Sequence, residues 1–123
     1  MFIHIWDEKK RDKEIKKEKK RLAGIFVNLD EDKRNTADGL IVNAAFQRVI
    51  LTELSMIIQR DGYVEEYQNG ATQSGLKKSA AVEVYDKTLN TYSKIIKQLC
   101  DLLPDGDSNV PGAELMSFIS KEK

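Results

Sequence analysis

The sequence has little cysteine, histidine and proline, and each shortage excludes a class of protein or site. A single cysteine, Cys100, excludes a disulfide within the chain and fits a reducing, intracellular setting. A single histidine, His4, leaves no cluster of the ligands that zinc prefers. Because only two of 123 residues are proline and 33% are charged, the composition favours one modest domain built from long, charged helices.

Residues suited to catalysis are also scarce. His4 stands without a partner, and Cys100 lies in an apolar helical stretch, where it is expected to act as a small hydrophobic residue. Glu65 and Glu66 would point to opposite faces of a strand. No glycine-rich phosphate-binding motif is present in the sequence. We therefore expect no enzymatic activity, no cofactor and no bound metal.

Membrane segments are not expected either. No apolar run approaches the roughly 20 residues that span a bilayer. The apolar start, Phe2 to Trp6, comes before the basic stretch and is too short for a secretory signal. These observations predict a cytoplasmic protein without a membrane partner.

The charge is balanced in total but uneven along the chain. Of 20 basic and 20 acidic residues, residues 1–21 hold nine basic and five acidic ones, and the remainder holds eleven and fifteen. Only the N-terminal end is therefore expected to be attracted to polyanions. The same charge distribution is equally compatible with attraction between this end of one copy and the acidic body of a neighbouring copy.

Residues from Asp7 to about Leu29 have the pattern of an amphipathic helix, with apolar residues on one side at about 100° per residue. Five lysines, here called the lysine ridge, gather on the other side: Lys9, Lys13, Lys16, Lys17 and Lys20. Such a ridge either contacts nucleic-acid phosphates or is a solvated face, and the pattern alone favours neither. The helix carries no pair of residues suited to reading bases.

A second long helix is predicted from the capping residue Asp30 to about Arg60, with a start near Gly39 as the alternative. Its apolar residues occupy more than one stripe, so we expect several sides to be covered, by its own chain or by another copy. Residues 62–75 then predict a small β-hairpin, with Asn69-Gly70 as the turn and residues 71–73 as the return strand.

Ser79 is the predicted cap of a third helix that ends at Pro104. Its apolar residues form a strict heptad seam: Val82, Tyr85, Leu89, Tyr92, Ile96, Leu99 and Leu103. The seam either holds a helical hairpin together or contacts another copy. A polar linker and a short last helix, with Leu115, Phe118 and Ile119 on one face, are predicted to follow.

The expected fold is mainly α: a long antiparallel helical hairpin with a small β-hairpin between its helices, plus a basic N-terminal helix and a short C-terminal helix. Residues 1–29 form the basic helix, 30–104 the hairpin core and 105–123 the linker and last helix. So small a core is not expected to hide all of its apolar surface, which predicts self-association. The predicted interface residues are Phe46, Val49, Ile50, Tyr85, Leu89, Tyr92 and Ile96.

Seven stretches of the sequence carry a family resemblance: 40–46, 51–54, 67–70, 73–75, 77–80, 85–99 and 102–104. In their order they resemble the P27-type phage terminase small subunits. The likeness covers about residues 22–104 and is strongest where the β-hairpin meets the third helix. In place of the proline that usually follows the capping serine in that family, this chain has Ala80.

The resemblance implies a helical homo-oligomer, expected to be a ring, that binds double-stranded phage DNA and regulates a separate large subunit with ATPase and nuclease activity. It implies a phage or prophage protein acting in the cytoplasm of a bacterial host. In such a protein the lysine ridge would contact phosphates, with Lys77 and Lys78 beside the hairpin as a second basic patch. Residues 115–119 would dock the large subunit or fold back on their own core.

Overall fold

The computed structural model describes residues 4–68, 70 and 73–103. This part of the chain is mainly helical, with a two-stranded antiparallel hairpin between its second and third helices, as predicted. The predicted linker and C-terminal helix, 105–123, lie outside the described residues. The elements are α1 (Glu8–Ile25), α2 (Glu31–Asp61), β1 (Val64–Gln68), β2 (Ser74–Lys78) and α3 (Ala80–Asp101).

Polar side chains cap the start of each described helix. Asp7, Asp30 and Ser79 each accept a hydrogen bond from the backbone N–H three residues later, at 2.7, 3.0 and 3.3 Å. A cap of this kind stabilises a helix by about 1 kcal/mol. The cap at Asp30 decides between the two predicted starts of α2, so Gly39 lies inside the helix.

The two connections that leave α1 and α2 show how these helices end. α1 ends at Ile25, four residues before the predicted end, because the chain turns there and places Phe26 and Leu29 in the core. α2 ends at Asp61 and is followed by Gly62, whose φ of +93° is a conformation that residues with a Cβ rarely adopt. The turn at Gly62 leads directly into the β-hairpin.

The contacts between α2 and α3 show that these helices run in opposite directions. At one end, the Ser79 N–H donates to the Tyr63 carbonyl at 2.8 Å. Farther along both helices, the Arg48 guanidinium lies over the Tyr92 ring. Tyr92, Ile96 and Leu99 of the heptad seam are therefore buried within the chain, whereas its member Leu89 is exposed.

α1 packs against α2, and the resulting core lies where the three helices meet. Ala44 and Ala45 are fully buried, and their small side chains let the neighbouring helices approach α2 closely. Burying a side chain such as Leu22 contributes roughly 2 to 3 kcal/mol. The buried members of this cluster are Leu22, Phe26, Leu29, Ala37, Ile41, Ala44, Ala45, Leu51, Tyr92, Ile96 and Leu99.

The predicted β-hairpin is present, but the predicted return strand is wrong. The return strand is 74–78 rather than 71–73, and pairing runs from Val64 opposite Lys78 to Gln68 opposite Ser74. This register places Glu65 opposite Lys77 and Tyr67 opposite Gly75, so opposite charges pair and the tyrosine ring covers the glycine. In the predicted register, with the return strand at 71–73, neither the Glu65–Lys77 pair nor the Tyr67–Gly75 pair would form.

α2 is long and apolar enough to cross a membrane, although length and composition are the only criteria it meets. No such segment is expected from the sequence pattern, so this is a difference from the prediction. Core helices of water-soluble proteins pass the same test. In this structure one side of α2 is buried by α1 and α3, and its buried face includes the charged residue Glu53.

Candidate nucleic-acid interface

The lysine ridge lies on one exposed face of α1. All five of its side chains are exposed, and they face away from the buried residue Leu22. From Lys9 to Lys20 the ridge is about 17 Å long, at 1.5 Å per residue. The predicted amphipathic helix is therefore present, with its positive side open to solvent.

Two of the five lysines are partly neutralised by acidic residues of the same helix. Lys16 lies 3.2 Å from the Asp12 carboxylate, and Lys17 lies 3.7 Å from the Glu14 carboxylate. The hydrogen bond from Lys10 lowers the pKa of Glu14, against a smaller opposing effect of burial, so this carboxylate stays charged. The other three, Lys9, Lys13 and Lys20, form no ion pair with any residue that the structure describes.

A buried carboxylate fixes the N-terminal end of α1 to the C-terminal half of α2. Glu53 is only 6% exposed. Its Oε2 accepts hydrogen bonds from the backbone N–H groups of Ile5 and Trp6, both at 2.8 Å. Its Oε1 accepts one from Arg11 Nε at 3.0 Å, and Arg11 Nη2 donates to the Trp6 carbonyl at 2.7 Å. The lysine ridge is therefore held in a fixed orientation relative to α2.

The environment of Glu53 keeps its side chain charged. Burial raises the pKa of the Glu53 carboxyl, but the hydrogen bonds from Trp6, Ile5 and Arg11 together lower it further. The net pKa lies below the ordinary value for glutamate. Glu53 is absent from the residues predicted to be functional, although a single acid within the apolar part of a helix is a signal that it has a buried partner.

The second half of α1 is held by apolar packing and by charges along its edge. Leu22 and Phe26 are buried in the core. Arg21 forms a two-pronged ion pair with Glu18, one turn earlier, with 2.9 Å between Nε and Oε1. Burial lowers the pKa of Arg48 on α2, with smaller effects of the charge on Glu18, which raises it, and of the charge on Arg21, which lowers it further. α1 therefore presents its lysines from a helix anchored at both ends.

The two lysines predicted beside the hairpin are placed differently from the ridge. Lys77 lies 3.6 Å from the Glu65 carboxylate, and Lys78 lies 3.6 Å from the Asp86 carboxylate. All four side chains are exposed. The hairpin surface is thus electrically mixed, and the structure gives it no excess of positive charge comparable with the ridge.

Three of the residues predicted for an interface between copies need correction. Val49, Tyr92 and Ile96 are buried within their own chain, so they are not available to a partner in this conformation. Phe46 is 48% exposed and Leu89 is 36% exposed. The remaining two, Ile50 and Tyr85, are half-buried.

The structure adds one residue to the exposed apolar surface of α2. Val42, one turn before Phe46, is 49% exposed. The two side chains share a face because residues four apart in a helix are neighbours. An apolar pair at this spacing is a usable signal in the sequence, but only the packing of α1 and α3 shows that this pair is left uncovered.

The other residues considered for catalysis or metal binding form no cluster in the described part of the chain. His4 is exposed, and Cys100 is half-buried, which raises the pKa of its thiol. Within residues 4–68, 70 and 73–103, no group of three or more histidine, cysteine, aspartate or glutamate side chains is arranged to hold a metal ion. The lysine ridge is therefore the most distinctive charged feature of this part of the molecule.

Comparison of the chain with protein-family models, with curated proteins and with solved structures gave no match.

Proposed function

We propose that this protein is the small subunit of a phage DNA-packaging terminase. It binds double-stranded viral DNA as a ring-shaped homo-oligomer in the cytoplasm of a bacterial host, and it regulates a large subunit that carries the ATPase and nuclease. The observation that supports this most is the lysine ridge, five exposed lysines on a helix whose opposite face packs against the core through the buried residue Leu22. The resemblance to the P27-type small subunits supplies the biological setting.

The chemistry of the ridge suits the phosphate backbone rather than the bases. Lysines that neutralise phosphates release condensed counterions, and this release favours binding to any duplex sequence. Base recognition in the major groove uses side chains such as arginine, asparagine and glutamine in paired contacts. Since the ridge consists of lysines, the proposed binding is largely independent of DNA sequence.

Self-association would raise the affinity of the protein for DNA. A single ridge neutralises few phosphates, but several ridges held in one assembly bind the same duplex with a much higher effective concentration. The exposed pair Val42 and Phe46 supports such an assembly, because apolar side chains on a helix face gain stability when another copy covers them.

The test of DNA binding is the salt dependence of duplex affinity. Replacing Lys9, Lys13, Lys17 and Lys20 with glutamine should flatten the slope of log affinity against log salt, by roughly 0.9 for each phosphate that is no longer neutralised. The matched control replaces four exposed or half-buried lysines elsewhere with glutamine: Lys33, Lys87, Lys94 and Lys97. Equal slopes for the two variants would remove the ridge from the proposal.

The oligomeric state provides an independent test. Native mass spectrometry of the full chain should show a closed assembly of several copies. A monomer at working concentrations would contradict the ring.

Regulation of a large subunit would be tested by adding the chain to the product of a neighbouring ATPase-nuclease gene and measuring ATP turnover, which should change.

A helical interaction module that binds no nucleic acid is the second candidate. The pairing of Lys16 and Lys17 with acids of their own helix favours it, because these contacts reduce the positive charge offered to DNA. In that case the ridge would be solvated or would meet the acidic surface of a neighbouring copy. Absence of duplex binding at low salt, together with a tight protein partner, would support this candidate.

A further inference from the structure

An apolar groove lies at the end of the molecule where α2 leads into the β-hairpin. Its volume is about 560 Å³, and the C-terminal half of α2, the start of β1 and the first turns of α3 form its walls. Its apolar lining includes Leu54, Ile57, Val64 and Val84. Of these, Val64 is 56% exposed and Val84 is 48% exposed. Apolar side chains left this open gain stability when they are covered.

The N-terminal segment of the chain contributes to the wall of this groove. His4 is one of the lining residues, and so is Glu53. The Glu53 carboxylate holds the backbone N–H groups of the next two residues, Ile5 and Trp6. The position of His4 at the groove therefore follows from hydrogen bonds to a buried carboxylate.

We infer that the groove is the docking site of the chain's own first three residues, Met1, Phe2 and Ile3. All three are apolar. Since three residues span at most about 11 Å and His4 lines the groove, these side chains can reach it without any rearrangement of the described residues. Their burial makes residues 1–6 a clasp that fixes α1 against α2 and α3. This inference does not depend on nucleic-acid binding.

Two other occupants are less well placed. Residues 115–119 follow α3, whose C-terminal end lies about 33 Å from the end that lines the groove, since the helix has 22 residues. The connection 102–114 would have to close that distance, which costs more chain entropy than the direct link from residues 1–3 to His4. A segment of a second copy would lose translational freedom on binding, whereas Phe2 is already tethered beside the site. Proximity therefore favours residues 1–3 of the same chain.

A double-mutant cycle in the full chain tests the contact. Phe2→Ala, Val84→Ala and the double variant are unfolded in urea and compared with the parent chain. Side chains in contact give non-additive effects, so the coupling should change the unfolding constant by about threefold or more. The control cycle pairs Phe2→Ala with Leu89→Ala, because Leu89 is an exposed α3 residue outside the groove lining. Additive effects for Phe2 with Val84 would overturn the inference.

A second measurement identifies the occupant directly. A residue carrying a small diazirine photo-crosslinker replaces Val84, and the crosslinked peptide is identified by mass spectrometry. Attachment to residues 1–3 within one chain supports the inference. Attachment to residues 113–121, or to a second copy recognised by its doubled mass, overturns it. Because neither measurement involves DNA, its outcome is separate from that of the proposed function.

Discussion

The Arg48 guanidinium lies 5.6 Å from the centre of the Tyr92 ring, at the contact between α2 and α3. Tyr92 is fully buried, and burial raises the pKa of its hydroxyl. The hydroxyl oxygen has no hydrogen-bond partner among the described residues. The ring thus stabilises the core through packing and its contact with the cation, whereas the hydroxyl carries an uncompensated cost of desolvation.

Replacing Tyr92 with phenylalanine should therefore leave the protein as stable as before or more stable, by up to about 1 kcal/mol. The ring and its contact with Arg48 remain, and the unpartnered hydroxyl is removed. Urea unfolding measures the change. The control is Tyr92→Ala, which should cost about 3 to 5 kcal/mol because it leaves a cavity. A decrease of more than about 1 kcal/mol in the phenylalanine variant would show that the hydroxyl has a partner.

Replacing Glu53 with glutamine should destabilise the chain by about 2 kcal/mol, since it weakens the buried hydrogen bonds to a charged acceptor and leaves Arg11 without its carboxylate. The matched control is Glu65→Gln, whose carboxylate pairs with exposed Lys77 and should contribute less than about 0.5 kcal/mol. Chemical denaturation of both variants checks this. Similar decreases in stability for the two variants would argue against Glu53 as the residue that holds the N-terminal segment on α2.

The difference between the parent chain and Glu53→Gln should shrink in acid. A carboxyl group whose pKa is lower in the folded state stabilises the fold above its unfolded pKa, about 4.3 for glutamate. That contribution disappears as the pH falls through the folded value. Unfolding in urea between about pH 7 and pH 3 measures the two stabilities. A difference that is as large at about pH 3 as at about pH 7 would contradict the lowered pKa.

Within the lysine ridge, the unpaired lysines should matter more than the paired ones. Replacing Lys9 and Lys13 with glutamine should reduce the salt slope of duplex binding by about 1.8, if both contact phosphates. Replacing Lys16 and Lys17 should reduce it less, because Asp12 and Glu14 already neutralise part of their charge. Fluorescence anisotropy at several salt concentrations compares the two variants. A larger effect of the second pair would point to a different DNA-facing side of α1.

Replacing Phe46 with arginine should weaken self-association with little change in the stability of the chain, because its side chain is about half exposed. The reason is that a charge replaces an apolar side chain on the uncovered face of α2. Sedimentation measures the assembly, and thermal unfolding measures the fold. Val27→Arg, an exposed apolar position outside the predicted interface, is the control. If both variants keep the assembly, Phe46 is not part of an interface.

Much of the local structure can be predicted from particular residues. The caps Asp7, Asp30 and Ser79 set the helix starts because each offers an oxygen to a free N–H group. The ends are less predictable. α1 ends earlier than predicted because the chain turns to bury Phe26 and Leu29 in the core. No residue pattern near Ile25 predicts this turn. The return strand differs from the prediction because cross-strand pairs, rather than the turn residues alone, decide a register.

The sequence alone determined three helices with a hairpin between the last two in the described part of the chain, and it determined the lysine face of α1, because periodicity and capping act within a few residues. Tertiary structure decided which apolar residues are enclosed and which stay open: Tyr92 and Ile96 are buried, whereas Val42 and Phe46 are not. It also decided that Glu53 anchors the N-terminal segment, because that contact joins residues more than forty positions apart. No local pattern specifies a contact of that range.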